Sequence, residues 1–94
     1  MHQAEIMQNF FQTIIDDPRI SSHHICLYLV LLHLWKHAGS PGIFELDRNL
    51  IMQLAKISSR ATYDKCMHAL HELGYIKYQP AIGYGKSKIK FSKL

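Results

Sequence analysis

Histidine is the residue type in this chain best suited to moving protons or holding metal, and there are seven in 94 residues. His33 and His37 are four apart and His68 and His71 three apart, spacings that place each pair on one face of a helix. A metal centre on either pair needs further ligands, and neither pair is read as completed by a carboxylate or cysteine at ligand spacing. The HExxH pattern is also absent, so no metal or other cofactor is expected. His23 and His24 fall near a helix start, where a positive charge is disfavoured, and surface exposure is expected for both.

Covalent chemistry finds little to work with. Cys26 and Cys66 are the only cysteines, both lie in apolar stretches, and no CxxC spacing exists. That usage fits a reduced, cytoplasmic setting better than a disulfide framework. Cys66 falls on an apolar stripe rather than among basic groups, and the Asp16-Asp17 pair ends a helix-like segment. No phosphate loop of the GxxxxGK type and no Gly-x-Ser-x-Gly elbow is present. The expectation is therefore a non-enzyme with no small-molecule ligand.

Charge is the stronger signal. Eleven Lys and Arg against seven Asp and Glu give +4 with neutral histidines. Residues 1–20 carry Glu5, Asp16 and Asp17 against Arg19, a net of −2, whereas residues 75–94 carry five lysines and no acid, a net of +5. Such polarity fits a domain with one end toward a polyanion. A solvated lysine edge that blocks aggregation gives the same pattern.

The elements that must position these groups follow from periodicity. At 48% apolar and 19% charged residues, the chain has material for one core and one domain. Ile6, Met7, Phe10, Phe11, Ile14 and Ile15 predict a short amphipathic helix within residues 1–20, closed by Asp16-Asp17-Pro18 and suited to packing or dimerisation. Met1 to Glu5 lack the features of a signal peptide. A second helix is expected from about His23 to Lys36, capped by Ser21 or Ser22, apolar on most sides and too short to cross a bilayer, so no membrane is implicated. Ile43 to Leu46 is strand-like, and Asp47 caps a helix of about ten residues with Leu50, Ile51, Leu54 and Ala55 on one side. Ser59 caps another, with Tyr63, Cys66, Met67, Leu70 and Leu73 as its apolar stripe and Gly74 at its end. Two alternating segments, Tyr75 to Gln79 and Lys88 to Lys93, flank a loop in which Gly83 and Gly85 allow positive φ, and make a hairpin. The fold class is mainly α with a small β-hairpin (α+β).

Leu54-Ala55-Lys56-Ile57-Ser58-Ser59-Arg60-Ala61-Thr62-Tyr63, followed by His71-Glu72-Leu73-Gly74-Tyr75-Ile76, resembles the winged helix-turn-helix domains of small bacterial transcriptional regulators. The resemblance covers roughly residues 22 to 94 and implies a winged helix-turn-helix with an extra N-terminal helix. It further implies double-stranded DNA as partner, a role in transcription regulation, and a homodimer that matches paired half-sites. Its turn departs from many relatives, because Ile57-Ser58 replaces a longer, glycine-containing turn. A protein interaction module and an accessory factor in replication or recombination are the alternative readings.

A major groove about 12 Å wide admits one helix whose first turns carry short or hydrogen-bonding side chains. The helix from Ser59 meets that demand: Ser58 or Ser59 and the free amides can bind phosphate, Arg60 and Lys65 guanine or phosphate, and Ala61 and Thr62 a thymine methyl. His68 lies further along, and Thr62 either reaches bases or caps the helix. Asp64 is the discordant residue, which either accepts from cytosine or pairs with Arg60 or Lys65. In the hairpin Lys86 and Lys88 supply charge, and Tyr84 packs on the hairpin or meets the nucleic acid. If about four basic groups neutralise phosphates, log affinity for a duplex should fall with log salt at a slope of about −3.6; a slope near zero in a binding titration contradicts the assignment.

Overall fold

The structure, a computed structural model, describes residues 12–13, 16–83 and 85–92. The expected helix on Ile6 to Ile15 and the role of Tyr84 lie outside the described residues. Among residues 16–92 as described, three helices and a small three-stranded antiparallel sheet follow one another in the order α1 (Ser22–His37), β1 (Phe44–Glu45), α2 (Arg48–Ala55), α3 (Arg60–Glu72), β2 (Ile76–Gln79) and β3 (Lys88–Phe91). Among the described residues no helix is long and apolar enough to cross a membrane.

Helix α1 forms the centre because its apolar residues outnumber what one face can hold. Leu27, Tyr28, Leu31 and Leu32 are buried, and Ile25, Leu29, Val30, Leu34 and Trp35 pack around them, while Cys26 and His33 remain exposed. Ser21 caps the helix, and its N–H donates to His24 Nδ1 at 2.9 Å. His24 is thus half-buried rather than on the surface, and burial lowers its pKa. At the other end Trp35 Nε1 donates to the Pro41 carbonyl at 2.7 Å, which fixes the reversal leading into β1.

The expected hairpin is present, with Ile76 opposite Phe91 and Gln79 opposite Lys88. The sheet is larger than a hairpin, however. Phe44 and Glu45 pair with Ile89 and Lys88, so β3 lies between β1 and β2. Strand alternation sends Ile76, Tyr78, Ile89 and Phe91 toward the core. Phe91 meets Tyr28 at 5.5 Å and Trp35 at 4.9 Å between ring centroids. The opposite side of the sheet carries Glu45, Lys77, Gln79, Lys88 and Lys90, all exposed.

The segment before α1 is tied to the sheet. Tyr75 donates its hydroxyl to Asp17 Oδ2 at 3.3 Å, and Asp17 also accepts from the Arg19 guanidinium at 2.9 and 3.0 Å. The Arg19 contacts, with a smaller contribution from Tyr75, lower the Asp17 pKa to about 2.

Helix α2 corrects the expected apolar side. Ile51 and Ala55 are buried, whereas Leu50 and Leu54 are 40% and 44% exposed. The helix has eight residues rather than ten, and Asp47 caps it by accepting from the Leu50 N–H at 3.2 Å. Lys56 then adopts left-handed φ 60 and ψ 36, and the Ile57 N–H reaches back to the Met52 carbonyl at 2.9 Å. This closes the helix as a glycine would, but with a Cβ that resists the conformation. Lys56→Gly should therefore raise stability in urea unfolding by about 0.5 kcal/mol, the left-handed penalty exceeding the extra chain entropy of glycine. A fall in stability would show that the lysine side chain outweighs its own backbone strain.

Candidate nucleic-acid interface

Between α2 and α3 the chain runs Lys56, Ile57, Ser58 and Ser59, with Ile57 buried and the serines exposed. The buried Ile57 pins the turn into the core, and Lys56 sets its direction. Ser59, at φ −98 and ψ 124, caps α3 by accepting from the Thr62 N–H at 3.3 Å. Ser59 rather than Thr62 is therefore the cap, and the Thr62 side chain is half-buried. A helix start also leaves unpaired N–H groups and the positive end of the dipole outside the core.

Burial sorts the rest of α3 into two sides. Tyr63, Cys66, Met67 and Leu70 are buried, Leu73 is half-buried, and burial pushes the Cys66 thiol up. The Tyr63 hydroxyl has no hydrogen-bond partner among the described residues, and burial raises its pKa strongly. With 100° per residue, that packing turns Arg60, Ala61, Lys65 and His68 outward, and all four are exposed. Asp64 lies half-buried beside them and pairs with Arg60, Nε to Oδ2 at 3.9 Å. At that length and exposure the pair contributes no more than about 0.5 kcal/mol, so Arg60 can leave it for a stronger partner.

The sheet meets α3 through two histidines. The Tyr78 N–H donates to His71 Nδ1 at 3.0 Å, and the His68 ring packs edge-on against Tyr78 at 5.5 Å. Burial, reinforced by the Asp64 charge, raises the Tyr78 phenol, while Ser87, Arg48 and Arg60 act in the opposite sense. Arg48 and Tyr78 are thus members of this region that spacing does not reveal, and His71 enters it through a bond to the sheet that its spacing from His68 does not show. Asp64 also stands one turn before His68, so the His68 and His71 pair does have a carboxylate at helical spacing. With His71 Nδ1 engaged by Tyr78 and Asp64 turned to Arg60, no group of three possible ligands among the described residues is placed to hold a metal ion.

The hairpin residues divide. Lys86 is exposed in the loop, beyond the strand ends. Lys88 is exposed on the outer side of the sheet opposite Glu45 and Gln79, away from the side on which Tyr78 meets His68. Gly83 has φ +60, whereas Gly85 does not take a positive φ; an added Cβ there would sit 3.3 Å from the Ile82 carbonyl oxygen. Helix α3 ends as Gly74 allows: at φ 83 it lets the Tyr75 N–H return to the Leu70 carbonyl at 2.9 Å, which turns the chain into β2.

No protein-family model, no curated protein and no solved structure matches the chain. Ser59→Ala should cost about 1 kcal/mol in urea unfolding, the usual value of an N-cap side chain. No measurable loss would mean that the start of α3 is held by packing alone.

Proposed function

We propose that this chain is a winged helix-turn-helix domain that binds double-stranded DNA and regulates transcription, with α3 entering the major groove and the loop of the 75–93 hairpin, through Lys86, acting as the wing. The observation that supports this reading best is the combination on α3 of a Ser59-capped, exposed start with Arg60, Ala61, Lys65 and His68 facing outward from a firmly buried stripe. A rigid helix with short and basic side chains on its free side is what groove entry requires. The order β1-β3-β2 supports the reading too, because it seats the basic hairpin directly after α3 and ties it there through His71 and Tyr78.

In this reading the roles divide by chemistry. Arg60 and Lys65 reach guanine edges or phosphates, and Ala61 contacts a thymine methyl. Ser58, Ser59 and the free amides of the first turn bind a phosphate, while Thr62 lends its backbone to the cap. Asp64 holds Arg60 in the absence of DNA and releases it on binding. Lys86 contacts the backbone from the wing. A homodimer would present two such helices to a two-fold site.

Leu50 and Leu54, exposed side by side on α2, favour a second reading in which this fold docks a protein. Two variants separate the readings after binding-site selection from random duplexes. Arg60→Ala should cost about 1 to 3 kcal/mol on the selected site and relax its sequence preference, whereas Lys86→Ala should weaken all sequences alike. Equal binding by wild type and both variants in a fluorescence-anisotropy titration would favour the protein-docking reading.

A further inference from the structure

The outer side of the sheet bears a charge arrangement that the α3 contact does not use. Lys77 and Lys90 stand directly opposite one another on neighbouring strands. Like charges in that position repel, since facing side chains on adjacent strands lie within reach of each other. Lys88, in the next row, has Glu45 across from it, but among the described residues Lys77 and Lys90 have no ion-pair partner. Both are exposed, and with Lys88 and the exposed Ile43 they border one shallow depression. The sheet's other side packs on Tyr28, Trp35 and His68, so these lysines lie on the side of the sheet turned away from the core and from His68 of α3.

We propose that this outer sheet face is a second site for the phosphate backbone of nucleic acid, so that one copy of the chain holds two duplex segments at once. The inference rests on the reading of α3 as a DNA-binding helix. Charge complementarity selects the occupant: an anionic polymer relieves the Lys77–Lys90 repulsion, and lysine serves as a point-charge phosphate ligand. Protein interfaces, by contrast, are depleted in lysine and are built around buried aromatic or arginine anchors; the outward side chains here are Lys77, Gln79, Lys88 and Lys90, and Tyr78, which also borders the depression, alternates toward the core. Strand addition by a peptide along β2 is also hindered, because the Tyr78 N–H is already taken by His71.

The test uses the full chain with two populations of short duplex, one carrying a donor fluorophore and one an acceptor. Wild type should bind two duplexes per copy and bring them together, giving energy transfer. Lys77→Gln/Lys90→Gln should abolish the transfer, leave the first binding event within about twofold, and remove about 1.8 from the summed salt slope, at about 0.9 per phosphate. Removing two repelling charges should leave the melting temperature unchanged or higher, so lost transfer cannot be laid to unfolding. Transfer that persists in the double variant would mean that paired copies bridge through two α3 faces, and would overturn the proposal. So would a single duplex per wild-type copy without transfer, or a polyglutamate peptide that depends on Lys77 and Lys90 where duplex does not. If wild type binds no duplex at all, the α3 reading itself fails, an outcome distinct from binding without bridging.

Discussion

Burial of one side of α3 is the constraint on which everything else in the molecule depends. Tyr63, Met67 and Leu70 have almost no exposure, and removing any one would leave a cavity costing about 2 to 5 kcal/mol. That energy fixes the helix's rotation about its own axis. Because successive residues advance by a constant angle, fixing the buried side also fixes that Arg60, Ala61, Lys65 and His68 face outward. Within the fold Arg60 has only the long pair with Asp64 and His68 only an edge contact with Tyr78, which leaves their chemistry open to something outside it.

Two local devices then hold α3 in place along its length. Ahead of it, the left-handed Lys56 and the buried Ile57 turn the chain sharply out of α2, and Ser59 caps the helix that begins at Arg60. Behind it, Gly74 returns the chain to the Leu70 carbonyl and delivers Tyr75 into the core, so β2 begins at a set distance from the helix. The bond from the Tyr78 N–H to His71 then fastens the sheet's edge to the helix. Helix and basic hairpin are thereby one rigid unit rather than two elements joined by a loop.

The readable parts of this arrangement were those governed by short-range chemistry. Asp47 and Ser59 announce helix starts because a side-chain oxygen three residues before an amide is a local device, and Gly74 announces an end because only glycine takes its φ without strain. The stripe from Tyr63 to Leu70 was legible for the same reason, since thirteen residues give the helical period room to show. Helix α2 is too short for that: Leu50 with Leu54 and Ile51 with Ala55 fit the period equally well, and only the tertiary fold selects the second pair. Nothing local marks Lys56 as left-handed. The pairing of β1 with β3 joins segments more than forty residues apart, and the contact of His71 with Tyr78 spans a turn, so neither leaves a trace in spacing. Composition marks Lys88 as one of the hairpin's charges, and strand alternation sets which side of the sheet carries it.

The most direct measurement of the central claim is a nuclear magnetic resonance titration of isotopically labelled protein with a selected duplex, read residue by residue. The proposed function predicts that the largest amide shifts at low duplex ratios fall on Ser59 to Lys65, His68 and Lys86, while Ile51, Leu50 and Leu54 of α2 stay unmoved. Shifts centred on Leu50 and Leu54, or no shifts with any duplex, would contradict it and leave α3 as a helix whose free side meets only water.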